Sequence, residues 1–155
     1  MSGSWLKNYE IITPTRTEVT AGEFRMPEPG EVLVTHDVSM DNILQGRIGS
    51  LAIQNRSPRF AGSFTQWHYD YIHTQAHFTE AGRLRVWLAG IRGELPSRDV
   101  VRQIRSELTE AAEPFLIAPG DLLAFGGSRS EIPILHSLRA VEEPRSSYFL
   151  AIQIK

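Results

Sequence analysis

Nearly every apolar run in this chain is short, rich in β-branched or aromatic residues, and closed by Gly, Pro, Asn or Ser. That punctuation limits the chain to a β-rich fold, because runs of four to eight such residues suit strands and are too short for most helices. Candidate strands fall at 9–13, 15–20, 31–36, 50–54, 63–68, 72–78, 83–88, 115–118, 121–125, 134–139 and 147–154. So many short strands predict a sandwich or barrel. The one clear exception lies between Pro96 and Pro114. There Val100, Val101, Ile104, Leu108 and Ala111 recur at helical spacing, with Arg102, Arg105, Glu107 and Glu110 on the other face and Ser97 as N-cap. A helix over 98–112 is expected to cover a sheet face or barrel end. A weaker helical turn is expected between Asp37 and Gly46.

With 155 residues the chain can bury one core, so residues 1–155 are read as a single domain. The 16 basic residues nearly balance the 18 acidic ones, for a net charge of −2, which gives no support to nucleic acid as a partner. No apolar run is long enough to span a bilayer and no leader pattern opens the chain, so no membrane partner is expected and a cytoplasmic location is. The absence of cysteine excludes disulfides, thiolate nucleophiles and iron–sulfur clusters, and any metal must be held by nitrogen and oxygen.

Histidine is where chemistry gathers. His68, His73 and His77 fall within ten residues, beside His36 and His136 elsewhere. On a strand, His68 and Asp70 point to one face and can close on a single ion. His136, after the strand-like Ile134–Leu135, is the candidate third ligand. Two histidines and a carboxylate leave open positions on a metal, which suits non-haem iron(II), although a His-x-Asp also occurs as a hydrogen-bonded structural pair. Gln75 and His77 share parity with each other but not with His68, so whether they face the same pocket depends on a turn near Tyr71. Tyr69 and Tyr71 flank Asp70 and are candidates for ligand contact. Arg83 and Arg85 share a strand face, read as exterior.

Residues Met26 to Arg47 resemble the start of medium-chain reductases, but no Gly-x-Gly-x-x-Gly turn follows, and Gly126-Gly127 reads as a turn. A longer resemblance covers 62–140. Gly62, His68, Asp70, Gln75 and Gly82 keep the spacing of the first cupin motif, with Asp70 in place of a histidine and Gln75 in place of the glutamate. Pro119-Gly120-Asp121 and the later His136 are similar to the second motif. His-x-Asp with a distant histidine, followed by Arg145-Ser146-Ser147, also resembles the iron(II) and 2-oxoglutarate oxygenases, and 62–88 resembles their jumonji-type members without that group's lysine.

The resemblance implies a cupin-like double-stranded β-helix (jelly roll), two antiparallel sheets curled around a metal site, with the helix outside. It implies iron(II), or another divalent metal, on His68, Asp70 and His136. Arg145 would grip the distal carboxylate of 2-oxoglutarate, with the Ser147 hydroxyl beside it, and Gln75 would be a fourth ligand or a neighbour of the ligands. The activity implied is oxygenation of a small-molecule substrate with 2-oxoglutarate as co-substrate; a homodimer is left open. Two other readings share these residues: a small cupin metalloenzyme without 2-oxoglutarate (isomerase, cyclase, lyase or direct dioxygenase), and a cupin binding module without turnover.

Overall fold

The structure, a computed structural model, describes residues 5–60, 67–69, 73–142 and 148–154. It is mainly β. Strands β1 (Glu10–Ile12), β2 (Thr15–Thr20), β3 (Glu31–His36), β4 (Arg47–Ile48), β5 (Leu51–Phe60), β6 (Thr74–Ala81), β7 (Leu84–Arg92), β8 (Phe115–Ile117), β9 (Leu122–Gly126), β10 (Ile134–Ala140) and β11 (Tyr148–Ile154) form two sheets. One of the two is curled into a half-barrel; the larger runs β2-β3-β9-β6-β11-β5-β4 and the smaller is β1-β7-β10, with β8 also paired to β7. Helices α1 (Met40–Leu44) and α2 (Arg98–Ala111) lie where the helical spacings predict them.

One expected feature is corrected. The sheets are not wholly antiparallel, since β2 and β3 pair in parallel from Thr15↔Glu31 to Thr20↔His36. The connection 21–30 carries the chain back to the end where β2 began, and Thr15 N–H donates to Gly30 O at 2.9 Å. Strand β5 also runs past the expected end at residue 54. Beyond Ile53 it pairs with β11 alone among the described residues, and such an edge tolerates Pro58, which has no N–H to give.

Alternation sorts the side chains. Val32 and Val34 of β3, Leu123 and Phe125 of β9, Leu84, Val86 and Leu88 of β7, and Ile134 and Leu138 of β10 meet between the sheets. The opposite face of the large sheet, with Leu33, Ala76, Phe78, Leu122, Ala124, Leu150 and Ile152, is covered by Phe24, Val38, Ile43 and Ile48. The outer face of the small sheet carries Trp87, Ala89, Ile91 and Leu135, which receive Val101, Ile104 and Leu108 of α2 together with Trp67 and Tyr69. The Ser97 side chain accepts from Val100 N–H and caps that helix. Central strands are therefore buried on both faces, so a polar residue there must be satisfied or must serve a purpose.

Glu31 is such a residue, and it is fully satisfied. Its carboxylate accepts from both Arg25 Nη1 (2.7 Å) and Nη2 (2.9 Å), from Thr17 Oγ1 (2.7 Å) and from Glu28 N–H (2.9 Å). The Arg25 fork is the largest influence holding its pKa down to about 2, against the penalty of burial. The unfolded chain keeps the ordinary, higher value, so this carboxylate's contribution is complete above about pH 4.5 and is lost as pH falls toward 2. Glu31→Gln is expected to cost about 2 kcal/mol in urea melts at pH 7, with the gap from the parent closing as pH falls through that window. A gap that stays constant from pH 7 to pH 2.5 would contradict the assignment.

Candidate functional site

Three imidazoles come together, two of them, His77 and His136, buried between the sheets and the third, His68, exposed. His136, in the middle of β10, has no exposed surface and projects to the same side as Ile134 and Leu138. His68 forms an isolated antiparallel bridge with it: His68 N–H donates to His136 O at 3.1 Å, and His136 N–H to His68 O at 3.0 Å. Directly opposed residues of an antiparallel pair project to one side, so this bridge sets the two rings together. Their centroids are 4.1 Å apart, inclined at 56°. His77 enters from β6, where its cross-strand neighbours Leu123 and Ala151 face the same interior, and its ring lies 5.0 Å from that of His136. Phe125 closes the group, 5.7 Å from His77 and 5.3 Å from His136.

Burial is the first cause of the electrostatics here. It pushes His77 down to about 3, and His136 well below the ordinary histidine value, and the nearby His68 adds to both effects. Both rings are therefore neutral at pH 7. Neither ring nitrogen of His136, and neither amide atom of the buried Gln75, has a hydrogen-bond partner among the described residues. Gln75 shares the face of β6 with His77 and lies across from Phe125.

The other sequence candidates divide clearly. Tyr69 is buried, but alternation turns it and Trp67 away from the histidines and toward α2, where Arg98 lies 5.9 Å from the Tyr69 ring. Trp67 Nε1 donates to Thr109 Oγ1 at 2.8 Å, which ties this segment to the helix. His73 is exposed. His36 is remote, held between Asp121 Oδ1 (2.7 Å) and Glu18 Oε1 (3.1 Å), whose carboxylates raise its pKa. Arg83 and Arg85 are exposed, and Arg83 Nε pairs with Glu142 at 2.6 Å. Asp70, Tyr71, Arg145 and Ser147 lie outside the described residues, as does the turn near Tyr71.

The Pro119-Gly120 step is a turn of defined type. Asp121 N–H donates to Ala118 O at 2.9 Å, and Gly120 has φ +90°, which a side chain would oppose at this corner of a type II turn. That turn starts β9, and so sets the phase that aims Leu123 and Phe125 inward. The turn expected at Gly126-Gly127 comes later: Gly126 is the last residue of β9 and pairs with Thr74, Gly127 N–H donates across to His73 O at 2.9 Å, and Ser130 N–H closes the turn on Gly127 O at 3.1 Å.

The nitrogen and oxygen groups gathered here are the imidazoles of His68, His77 and His136 and the amide of Gln75. Among the described residues, no three His, Asp or Glu side chains form a group arranged to hold a metal ion. No described helix is long and apolar enough to cross a membrane. No family model matches the sequence, and no curated protein matches it.

Proposed function

We propose that this chain is a non-haem iron(II)-dependent oxygenase with a cupin-like double-stranded β-helix fold. His68, Asp70 and His136 hold the metal, and 2-oxoglutarate is co-substrate for the oxidation of a small organic molecule. The observation that carries the reading is His136. A wholly buried imidazole with both nitrogens lacking a partner among the described residues, beside a second imidazole held by a backbone bridge, costs about 1–3 kcal/mol of desolvation unless something binds it. Imidazole nitrogens, those of the buried His136 and the exposed His68, fit a divalent first-row metal in donor chemistry, and Asp70 is the third ligand this reading requires.

When bound, such an ion supplies Lewis acidity and open positions for oxygen and for a keto acid. The chain supplies the rest. His136, neutral at pH 7, would hold the ion through a ring nitrogen without first losing a proton, His68 would join it through its own ring, and Phe125 and Leu88 keep the surroundings of His136 apolar. Arg145 offers a planar fork to the distal carboxylate of 2-oxoglutarate, with Ser147 beside it. A second reading, a cupin metalloenzyme that does not use 2-oxoglutarate, is favoured by Gln75. It stands at the glutamate position of the cupin motif, and its buried amide, without a hydrogen-bond partner among the described residues, would serve as a fourth donor.

Anaerobic titration with iron(II) and 2-oxoglutarate separates the two. The oxygenase reading expects a visible charge-transfer band, and succinate release once oxygen and a substrate are present. Arg145→Ala is expected to leave metal binding intact while raising the 2-oxoglutarate requirement by about one to two decades, the loss of a charge-assisted bidentate contact. Arg145→Lys would not restore it. Tight iron binding with no 2-oxoglutarate affinity at millimolar concentration would end the oxygenase reading in favour of the second.

A further inference from the structure

The small sheet is interrupted along one edge of β7. β1 pairs with Gly90 to Arg92 and β8 with Leu84 to Val86, so among the described residues Trp87 to Ala89 have no strand against them on that side. A cleft of about 340 Å³ opens at this break. Pro14 and Arg16 form one wall, Glu113 and Phe115 the other, and Val32 and Leu88 lie between them. Leu88 is the direct cross-strand partner of His136, and Val32 that of Phe125, whose ring touches the histidines. The floor of the cleft is thus the layer of side chains that borders the imidazole cluster.

The two walls carry opposite charges. Arg16 lies 4.9 Å from the Phe115 ring centroid, and its Nη2 pairs with Glu18 at 3.2 Å, not with Glu113. That contact engages one of five guanidinium N–H donors and leaves others for a carboxylate. Glu113 follows the C-terminal end of α2, where the aligned peptide dipoles already concentrate negative charge and no basic residue occupies the last turn.

We propose that this cleft is the substrate pocket of the histidine site and takes a zwitterionic α-amino acid with an apolar side chain. The carboxylate meets Arg16, the ammonium meets Glu113 and the C-terminal end of α2, and the side chain rests on Val32 and Leu88. The volume is at the small end for ligand pockets and suits one amino acid rather than a peptide. A dicarboxylate fits less well, because its second charge would face Glu113. As a substrate pocket the assignment rests on the metal-site reading above; as a binding pocket it stands alone.

The test is an NMR titration of the full chain with L-leucine, with 4-methylpentanoate, which lacks the ammonium, and with 3-methylbutan-1-amine, which lacks the carboxylate. Leucine is expected to shift the Leu88 and Phe115 resonances and to bind at least about tenfold more tightly than either analogue. Arg16→Gln should weaken leucine about tenfold and leave the amine unaffected; Glu113→Gln should weaken leucine similarly and leave the carboxylate unaffected. Both positions are exposed, so neither variant should disturb folding. Manganese(II) added to the leucine complex should broaden the leucine methyl signals. Absence of leucine binding at tens of millimolar, or equal binding by both variants and the parent, overturns the pocket. Leucine and manganese bound without broadening overturns its role as substrate pocket. Leucine bound with the expected variant pattern but no manganese binding upholds the binding pocket and overturns the metal-site reading instead.

Discussion

His136→Leu is expected to abolish stoichiometric binding of a divalent metal and at the same time to raise the melting temperature of the metal-free protein. The two effects share one cause. His136 is wholly buried among Phe125, Leu88 and two other imidazoles, with neither ring nitrogen hydrogen-bonded among the described residues. Replacing it by an apolar side chain of similar size removes about 1–3 kcal/mol of desolvation penalty and adds contact with the apolar layer. For a chain of this length that corresponds to a rise of several degrees, roughly 2–4 °C per kcal/mol. His136→Ala should lose the metal equally but melt lower than the leucine variant, since it leaves a cavity. His36→Ala, at the remote Glu18–Asp121 clamp, should keep full metal content. Calorimetry and metal analysis on the three variants check this together. A leucine variant that retains one metal per chain, or that melts below the parent, would remove His136 from the proposed centre.

Such a gain in stability on losing a polar group marks a residue kept for something other than folding. Glu31 is the contrast within the same molecule. It too is buried and polar, but four hydrogen bonds meet it, and its removal weakens the fold. Satisfaction, rather than burial, separates a structural polar residue from a candidate functional one.

The sequence made some of this legible and left the rest hidden for definable reasons. Helix α2 was readable because its apolar period and its Ser97 cap agree, and tertiary packing then used the predicted stripe. Strands 31–36, 121–125 and 134–139 were readable because β-branched and aliphatic runs met turn residues at both ends. The ends of β5 and β7 were not. Gly90 looks like a terminator, yet β7 continues through it because the missing side chain lets Ile12 O come within 3.1 Å of where a Cβ would sit.

The phase of Gln75 and His77 relative to His68 could not be read at all, because it hangs on whether the chain turns near Tyr71, which lies outside the described residues. In the folded chain both are buried on the inward face of β6. A signal was present nonetheless: a strand with Ala76 and Phe78 on one face and Gln75, His77 and Thr79 on the other looks half-solvated, and becomes informative once both faces are known to be covered. The cleft at Arg16 and Glu113 had no local signal. Its walls come from segments about a hundred residues apart along the sequence, and only the break between β1 and β8 brings them together.

Deleting the chain after Pro144 is expected to leave no cooperatively folded protein. The removed strand, β11, is not a terminal edge but an interior strand of the large sheet, paired with β5 from Tyr148↔Phe60 to Ile154↔Ile53 and with β6 from Tyr148↔Ala81 to Ile154↔Thr74. Its Leu150, Ile152 and Ile154 are buried against Ala76, Phe78 and Leu33 in the core on one face, while Ala151 meets the inter-sheet core on the other. At about 1.5–3 kcal/mol for each fully buried aliphatic side chain, those three alone contribute roughly 5–9 kcal/mol. The whole stability of a domain this size is about 5–15 kcal/mol. The loss also strips β5 of its main partner and turns β6, which carries Gln75 and His77, into an exposed edge. The truncated chain should therefore be recovered as aggregate, or as a soluble chain without a cooperative melt. Ile152→Ala provides the graded version: it should fold, lose about 2–4 kcal/mol and melt roughly 5–15 °C lower. A soluble truncation that melts cooperatively, or an Ile152→Ala variant as stable as the parent, would show that β11 is dispensable and that the histidine cluster does not depend on the strand beside it.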